Sequence, residues 1–523
     1  MPESYNIKQT TDNPAVNLAL DTINIEKQAL VFCNTKRTAE ATAERISKKL
    51  SIKKKKLSEI SNKALYALGT PTKQCKRLSY CLKKGIAFHH SGLSYKQRDI
   101  IEEGFRKGYV KIICSTPTLA FGLDLPAFRA IMKDLKRYGG RWGMMWIPTL
   151  EYHQCAGRAG RPDYNDTHGE AISISSGKSE TKEILKRYIF GKPEPVLSKL
   201  AVEPVLRTYI LSLICTKFAK SKQELLAFFE KTFYAYQYND LKEIDILISR
   251  IINKLDEWEF INVTNVSSDF VSADEISDSK IRPTPLGIRV SQLYIDPYTA
   301  NFIITGIRRA TQTMINEFSF LHLVSNTIEM KPSFRVRTKE LEYIEEKLTE
   351  KSLHLIVLEP SVYEPDYDEF MNATKTAVVL EEWIEEKNED YILNKYNVRP
   401  GEFNYKKNNA DWLLYSSEEL AKLLNFREIV KMIRKTRFRL NHGIREELIP
   451  LVRVKGIGRV RARKLFRNGI RNIGDIKDAD IVKMTQLIGR KTSINIKKQV
   501  GIEIDKKKVP KRKRKGQMSL KKY

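Results

Sequence analysis

At 523 residues the chain has room for roughly three to five domains of about 100–200 residues, each able to bury a core. A net charge of +29, from 92 Lys and Arg against 63 Asp and Glu, exceeds what solubility needs. It predicts a polyanionic partner, with nucleic acid ahead of an anionic membrane. No run of about 18 apolar residues could span a bilayer, residues 1–13 are polar rather than signal-like, and six scattered cysteines lack zinc-finger spacing. These features point to a reduced, cytoplasmic, nucleoid-associated protein without a metal centre.

In chain order, residues 28–34 (QALVFCN) form a short buried-strand run, and Ala39, Ala43 and Ile46 then mark one face of a helix. Lys53 to Lys56 read as a solvated insertion. Residues 86–90 and 110–114 are further strands with helices between them. Continuous apolar strands alternating with helices imply a parallel sheet covered on both faces, a RecA-like α/β domain over about 15–190.

Ser115-Thr116-Pro117-Thr118-Leu119-Ala120-Phe121-Gly122-Leu123-Asp124-Leu125-Pro126 follows the third strand. Within 132–149, Tyr138-Gly139-Gly140-Arg141-Trp142-Gly143 suits a hairpin tip. Next comes Gln154-Cys155-Ala156-Gly157-Arg158-Ala159-Gly160-Arg161-Pro162. Two arginines three apart behind a glycine suit a phosphate clamp, because planar guanidiniums bind phosphate oxygens bidentately. Gly177-Lys178-Ser179 imitates the end of a phosphate loop, but the glycine required five residues earlier is Ile172. Neither a G-x-x-x-x-G-K-[ST] loop nor a D-E-x-H motif occurs in the sequence.

Beyond Pro193 the pattern changes. Residues 203–258 read as three amphipathic helices, and short strands lead to Thr284-Pro285-Leu286-Gly287, which suggests a winged helix. Residues 293–425 are mostly helical, and 426–504 are helical and strongly basic. Val454-Lys455-Gly456-Ile457-Gly458-Arg459-Val460-Arg461-Ala462-Arg463 followed by Asn468-Gly469-Ile470 is a helix-hairpin-helix pattern. Its glycines let the hairpin approach a phosphate, which the next helix's free amides then grip without reading bases. Arg459, Arg461 and Arg463 would add ionic contacts. The last 18 residues carry ten Lys or Arg and no acid, the composition of a disordered tail.

Taken together, the 115–126 and 154–162 runs resemble motifs V and VI of superfamily II helicases, in the second of two RecA-like motor domains. With His89-His90-Ser91-Gly92-Leu93, the 284–297 run and Arg461-Ala462-Arg463 in this order, the chain resembles the archaeal Hjm-type DNA helicases, relatives of HelQ. The likeness covers nearly the whole chain, but only the part of the family that follows its first RecA-like domain.

The resemblance implies five segments: a second RecA-like domain over 1–190, a winged helix over 191–292, a helical ratchet-like domain over 293–425, a helix-hairpin-helix domain over 426–505, and a basic tail over 506–523. The middle three would form a channel around single-stranded DNA. ATP and Mg²⁺ would sit between two RecA-like domains, held jointly with a partner carrying the first. Arg158 and Arg161 would stabilise charge on the transferred phosphoryl group, and Gln154 would couple nucleotide to the domain interface. Gly122 and Asp124 would approach the nucleotide, while Thr116 and Thr118 face the nucleic-acid backbone.

The hairpin would wedge a duplex apart with Tyr138 and Trp142. Trp412 matches the family's base-stacking position on a central helix. Tyr405 stands where the family has arginine, so Lys406 or Lys407 would replace that contact. The final Gln517-Met518-Ser519-Leu520-Lys521-Lys522-Tyr523 resembles a PCNA sliding-clamp peptide anchored by Gln517, Leu520 and Tyr523. The expected function is therefore the C-terminal subunit or fragment of an ATP-dependent 3′→5′ DNA helicase for fork repair and recombination. The alternative is a non-catalytic DNA-binding and clamp-recruiting module; an RNA helicase half is disfavoured by the helix-hairpin-helix.

Overall fold

The computed structural model describes residues 5–52, 54–122, 124–139, 143–160, 166–200, 202–238, 242–264 and 280–503. The chain divides into two compact units: Met1–Val196 with Glu389–Tyr405, and Leu197–Asn388 with Lys406–Tyr523.

The first unit is built on five parallel strands: β1 (Ala29–Phe32), β2 (Ile86–His89), β3 (Ile112–Ser115), β4 (Arg129–Met132) and, after the hairpin strands β5 (Lys136–Tyr138) and β6 (Met144–Trp146), β7 (Glu170–Ser173). Their order is β2-β3-β1-β4-β7. Every residue of β1 to β4 is buried, as a sheet covered by helices on both faces requires. The helix expected around Ala39 to Ile46 spans Lys36–Lys48 and starts on a Thr35 cap that accepts from Thr38 N–H at 3.0 Å. The helix after β2, Tyr95–Arg106, starts on a reciprocal Ser94–Gln97 capping box.

One expectation fails here. Lys54 to Lys56 do not form an inserted loop but open the helix Lys55–Leu65, whose Leu57 and Ile60 are buried. Lys53 lies outside the described residues. The apolar positions two and five beyond Lys55 bury against the Lys73–Leu82 helix, and the lysines mark the solvent side.

In the second unit, four helices rather than three fill the expected stretch: Glu203–Cys215, Lys222–Phe229, Phe233–Tyr238 and Lys242–Glu257. The extra break falls at 230–232, where the Thr232 hydroxyl donates to the Phe229 carbonyl at 2.7 Å and closes the preceding turn. The antiparallel strands β8 (Ile261–Thr264) and β9 (Lys280–Pro283) follow. Thr284 then caps the helix Pro285–Leu293, accepting from Gly287 N–H at 3.0 Å. Gly287 lies against the Phe260 carbonyl, which a Cβ would meet at 1.9 Å, so the T-P-L-G run has a structural reason. Arg207 and Asp296, both buried, form a bidentate pair at 2.5 and 2.8 Å.

The helix Tyr367–Ile384 packs between Glu317–Ser325 and Arg427–His442. Residues 444–500 close around a separate apolar core that includes Leu451, Ile457, Leu465, Ile476, Met484 and Ile496. Among the described residues no helix is long and apolar enough to cross a membrane, no group of His, Cys, Asp or Glu is placed to hold a metal ion, and the six cysteines are unbridged.

Candidate nucleotide and nucleic-acid faces

Because β3 and β4 both run parallel to β1, the chain between them must return from the carboxyl edge of the sheet to its amino edge. Residues 116–128 make this crossing with a short 3₁₀ turn, Pro117–Ala120, in place of a full helix. At the carboxyl edge, Thr116 N–H donates to the His89 carbonyl at 3.3 Å, and the Thr116 and Thr118 hydroxyls lie 2.9 Å apart at the surface. Further along the crossover, Gly122 and Asp124 are exposed. Gly122 has φ +74 and open space around it, a conformation that admits close approach by a ligand.

The helix Thr149–Ala156 packs on the 3₁₀ turn and presents Gln154 to solvent. Its continuation makes an isolated bridge to the run that leads into β4: Ala127 N–H donates to the Arg158 carbonyl at 2.9 Å and Gly160 N–H to the Ala127 carbonyl at 2.7 Å. A Cβ on Gly169 would meet the Gly160 nitrogen at 2.2 Å, so this run threads a passage that glycine alone leaves open. The half-buried Arg158 guanidinium donates through Nε to the Ala120 carbonyl at 3.2 Å, with a second bond from Nη2. The crossover and the arginine-bearing run are therefore hydrogen-bonded to each other at both Ala120 and Ala127. Arg161 lies outside the described residues.

The hairpin β5–β6 stands off the main sheet. Its pairs are Lys136 with Trp146, Arg137 with Met145 and Tyr138 with Met144, and Gly139 N–H donates to the Gly143 carbonyl at 2.7 Å. Trp146 anchors the root: the Lys136 ammonium lies 4.2 Å from its ring centre and the Arg187 guanidinium 5.6 Å. Towards the tip the apolar side chains turn outward, with Tyr138 74% exposed and Met144 60%. Trp142 lies outside the described residues. The methionines escaped sequence reading because methionine in a strand reads as core.

The His89-His90-Ser91-Gly92-Leu93 run docks the segment Glu389–Tyr405. Gly401 N–H donates to the Gly92 carbonyl at 3.0 Å, and a Cβ on Gly401 would meet the Ser91 and Leu93 carbonyls at 2.2 and 2.3 Å. Beneath them Glu40, 3% exposed, receives Gln74 at 3.0 Å, His90 at 3.1 Å, Arg399 at 3.3 Å and Arg77. Burial opposes ionisation of Glu40, but the hydrogen bond from His90 and the Arg399 charge outweigh it and bring the carboxyl down to about 2. Burial lowers the His90 pKa as well.

In the second unit one expected DNA contact, Lys406, is turned inward. Lys406 is 4% exposed and its ammonium donates to the Met330 carbonyl; burial pushes its pKa down to about 8. It therefore faces the protein interior instead of DNA. The reason is register, since the helix Pro400–Leu423 buries Phe403, Lys406 and Ala410 on one face. Trp412 is half-buried, with its indole N–H donating to the Leu293 carbonyl at 3.1 Å.

In the helix-hairpin-helix, Gly456 (φ +97) and Gly458 are exposed with open space around them. Gly458 precedes the helix Arg459–Arg467 and supplies no side-chain cap, leaving its first amides available. The arginines differ. Arg461 is exposed and ties back to the Gly456 carbonyl at 2.8 Å, while Arg459 lies 4.6 Å from the Trp383 ring centre. Arg463 is held by Glu386 and Glu447, both at 2.8 Å, which makes it a brace of the hairpin. Gln517, Leu520 and Tyr523 lie outside the described residues.

Comparison with known proteins follows these divisions. Residues 15–163 match the helicase conserved C-terminal domain, 318–443 the archaeal helicase domain 4, and 448–501 the SAM-like helix-hairpin-helix tandem. The chain is 37% identical over 544 residues to the ATP-dependent DNA helicase Hel308 of Methanococcus vannielii, covering 96% of this chain and 69% of that one. It is 39% identical over 507 residues to the same-named protein of Pyrococcus horikoshii, covering 95% and 67%. The chain thus spans about two thirds of the length of these relatives.

Proposed function

Since the chain belongs to the Hel308 family of ATP-dependent DNA helicases, we propose that it supplies the second half of such a motor. On this reading it acts 3′→5′ on stalled forks and recombination intermediates. The phosphate loop and the Mg²⁺-binding acidic motif come from a first RecA-like domain outside these 523 residues, carried by a partner chain. Arg161 acts as the arginine finger, Arg158 holds the motif in place, and Gln154, Gly122 and Asp124 face ATP.

The observation that carries this reading is the Arg158–Ala120 link. It ties the 154–160 run to the crossover, and on this reading a change at the nucleotide would reach Thr116 and Thr118 through it. The hairpin tip fits a wedge, because Tyr138 and Met144 offer exposed apolar surface on a root locked by Trp146. We read 191–292 as a winged helix and 293–425 as a ratchet-like domain, with Trp412 stacking on unwound bases. Gly456, Gly458, Arg459 and Arg461 then hold phosphates. The tail is read as docking to a PCNA-type clamp through Gln517, Leu520 and Tyr523.

Strand separation tests the proposal. A forked duplex is incubated with ATP, this chain and a protein carrying the first RecA-like domain. Unwinding by the mixture, abolished by Tyr138→Ala/Met144→Ala while ATP hydrolysis persists, is the expected result. Tight DNA binding with neither unwinding nor hydrolysis would instead favour the non-catalytic, clamp-recruiting module.

A further inference from the structure

The turn Gly177-Lys178-Ser179, which fails as a phosphate loop, lines a groove of about 730 Å³ at the root of the β5–β6 hairpin. One wall carries Lys136 and Trp146; the other carries Lys178, Lys182 and Lys186. These three recur every fourth residue along Lys178–Ile184 and the turn that continues it, which places them about 6 Å apart along one face. All three are exposed, and none pairs with a carboxylate among the described residues.

The groove's acids are already engaged. Glu180 binds Lys136 at 2.8 Å and the Ser176 N–H at 2.7 Å, and these bonds bring its carboxyl down to about 2. Glu183 binds Arg187 at 2.6 Å. Like charges four apart on a helix destabilise it, so the lysine ladder adds nothing to the fold. It has a use when a polyanion lies along it. The Trp146 ring already lies beside two cations, so recognition here is by charge rather than by base stacking.

We propose that this groove binds the phosphodiester backbone of one DNA strand passing the hairpin root, with Lys178, Lys182 and Lys186 each meeting a phosphate. The proposal rests on the reading of the chain as a DNA-handling motor half.

Binding of a fluorescein-labelled oligothymidylate to the full chain is followed from low to moderate salt. Wild type is compared with Lys178→Ala/Lys182→Ala/Lys186→Ala and with Lys63→Ala/Lys76→Ala/Lys83→Ala, a control that removes exposed lysines elsewhere on the same unit. Each lost single-strand phosphate contact lowers the log–log salt slope by about 0.7, so the groove variant should lose about 2 units of slope. The control should keep the wild-type slope. Equal slopes for wild type and the groove variant, or an equal loss in the control, would overturn the groove. No binding by wild type would overturn the DNA reading itself, a result distinct from the first. Thermal unfolding is expected to be unchanged in both variants, since all six side chains are exposed.

Discussion

Glu40 gathers His90, Gln74, Arg77 and Arg399 around one buried carboxylate, which makes it an acid-sensitive point of the first unit. Its folded pKa, about 2, lies below its ordinary value of 4.5. Its stabilising contribution is therefore complete above about pH 4.5 and is lost as pH falls towards 2. Glu40→Gln should cost about 3–5 kcal/mol at neutral pH, because Arg399 loses this carboxylate while Arg77 keeps only Glu44. In urea unfolding followed across pH, that difference should shrink below pH 4.5; a constant difference would contradict the assignment. Lys406 makes the opposite case. Its charge could be read in the sequence but its direction could not, because the side chain's fate depends on the Met330 carbonyl across the fold. Lys406→Met should leave the salt slope of DNA binding unchanged, whereas a DNA-contacting lysine would lower it by about 0.7.

At the scale of elements, β1, β2 and β3 were legible as short, largely apolar runs, whereas β4, which opens on Arg129, was not, and the hairpin was legible from its glycines. The exposed Met144 and the lysine ladder were not, since exposure is decided by what packs elsewhere. The docking of Glu389–Tyr405 was equally hidden, as it joins residues about three hundred apart in sequence. It yields a signed prediction. In an ordinary helix Gly→Ala gains about 1 kcal/mol. At Gly401 the new methyl would strike the Ser91 and Leu93 carbonyls, so Gly401→Ala should destabilise by about 1–3 kcal/mol. A rise in Tm for Gly401→Ala would show that this segment does not seat on the His90–Gly92 turn.

Across the whole molecule, the net charge of +29 favours a polyanionic partner, and on the proposed reading the 116–128 crossover serves both the nucleotide and the nucleic-acid backbone. Motif chemistry carried the functional reading further than composition did, although the structure gives Arg158 a bracing role on the Ala120 carbonyl that its sequence could not reveal. The central claim is that the other half of the ATP site completes against this chain. Its most direct test is DNA-stimulated ATP hydrolysis by the chain alone, by a protein bearing the first RecA-like domain alone, and by their mixture, with Arg161→Ala as the control. Hydrolysis in the mixture alone, reduced by about 10³-fold or more in the variant, is the predicted result. Hydrolysis that is indifferent to this chain, or undiminished by Arg161→Ala, would contradict the account.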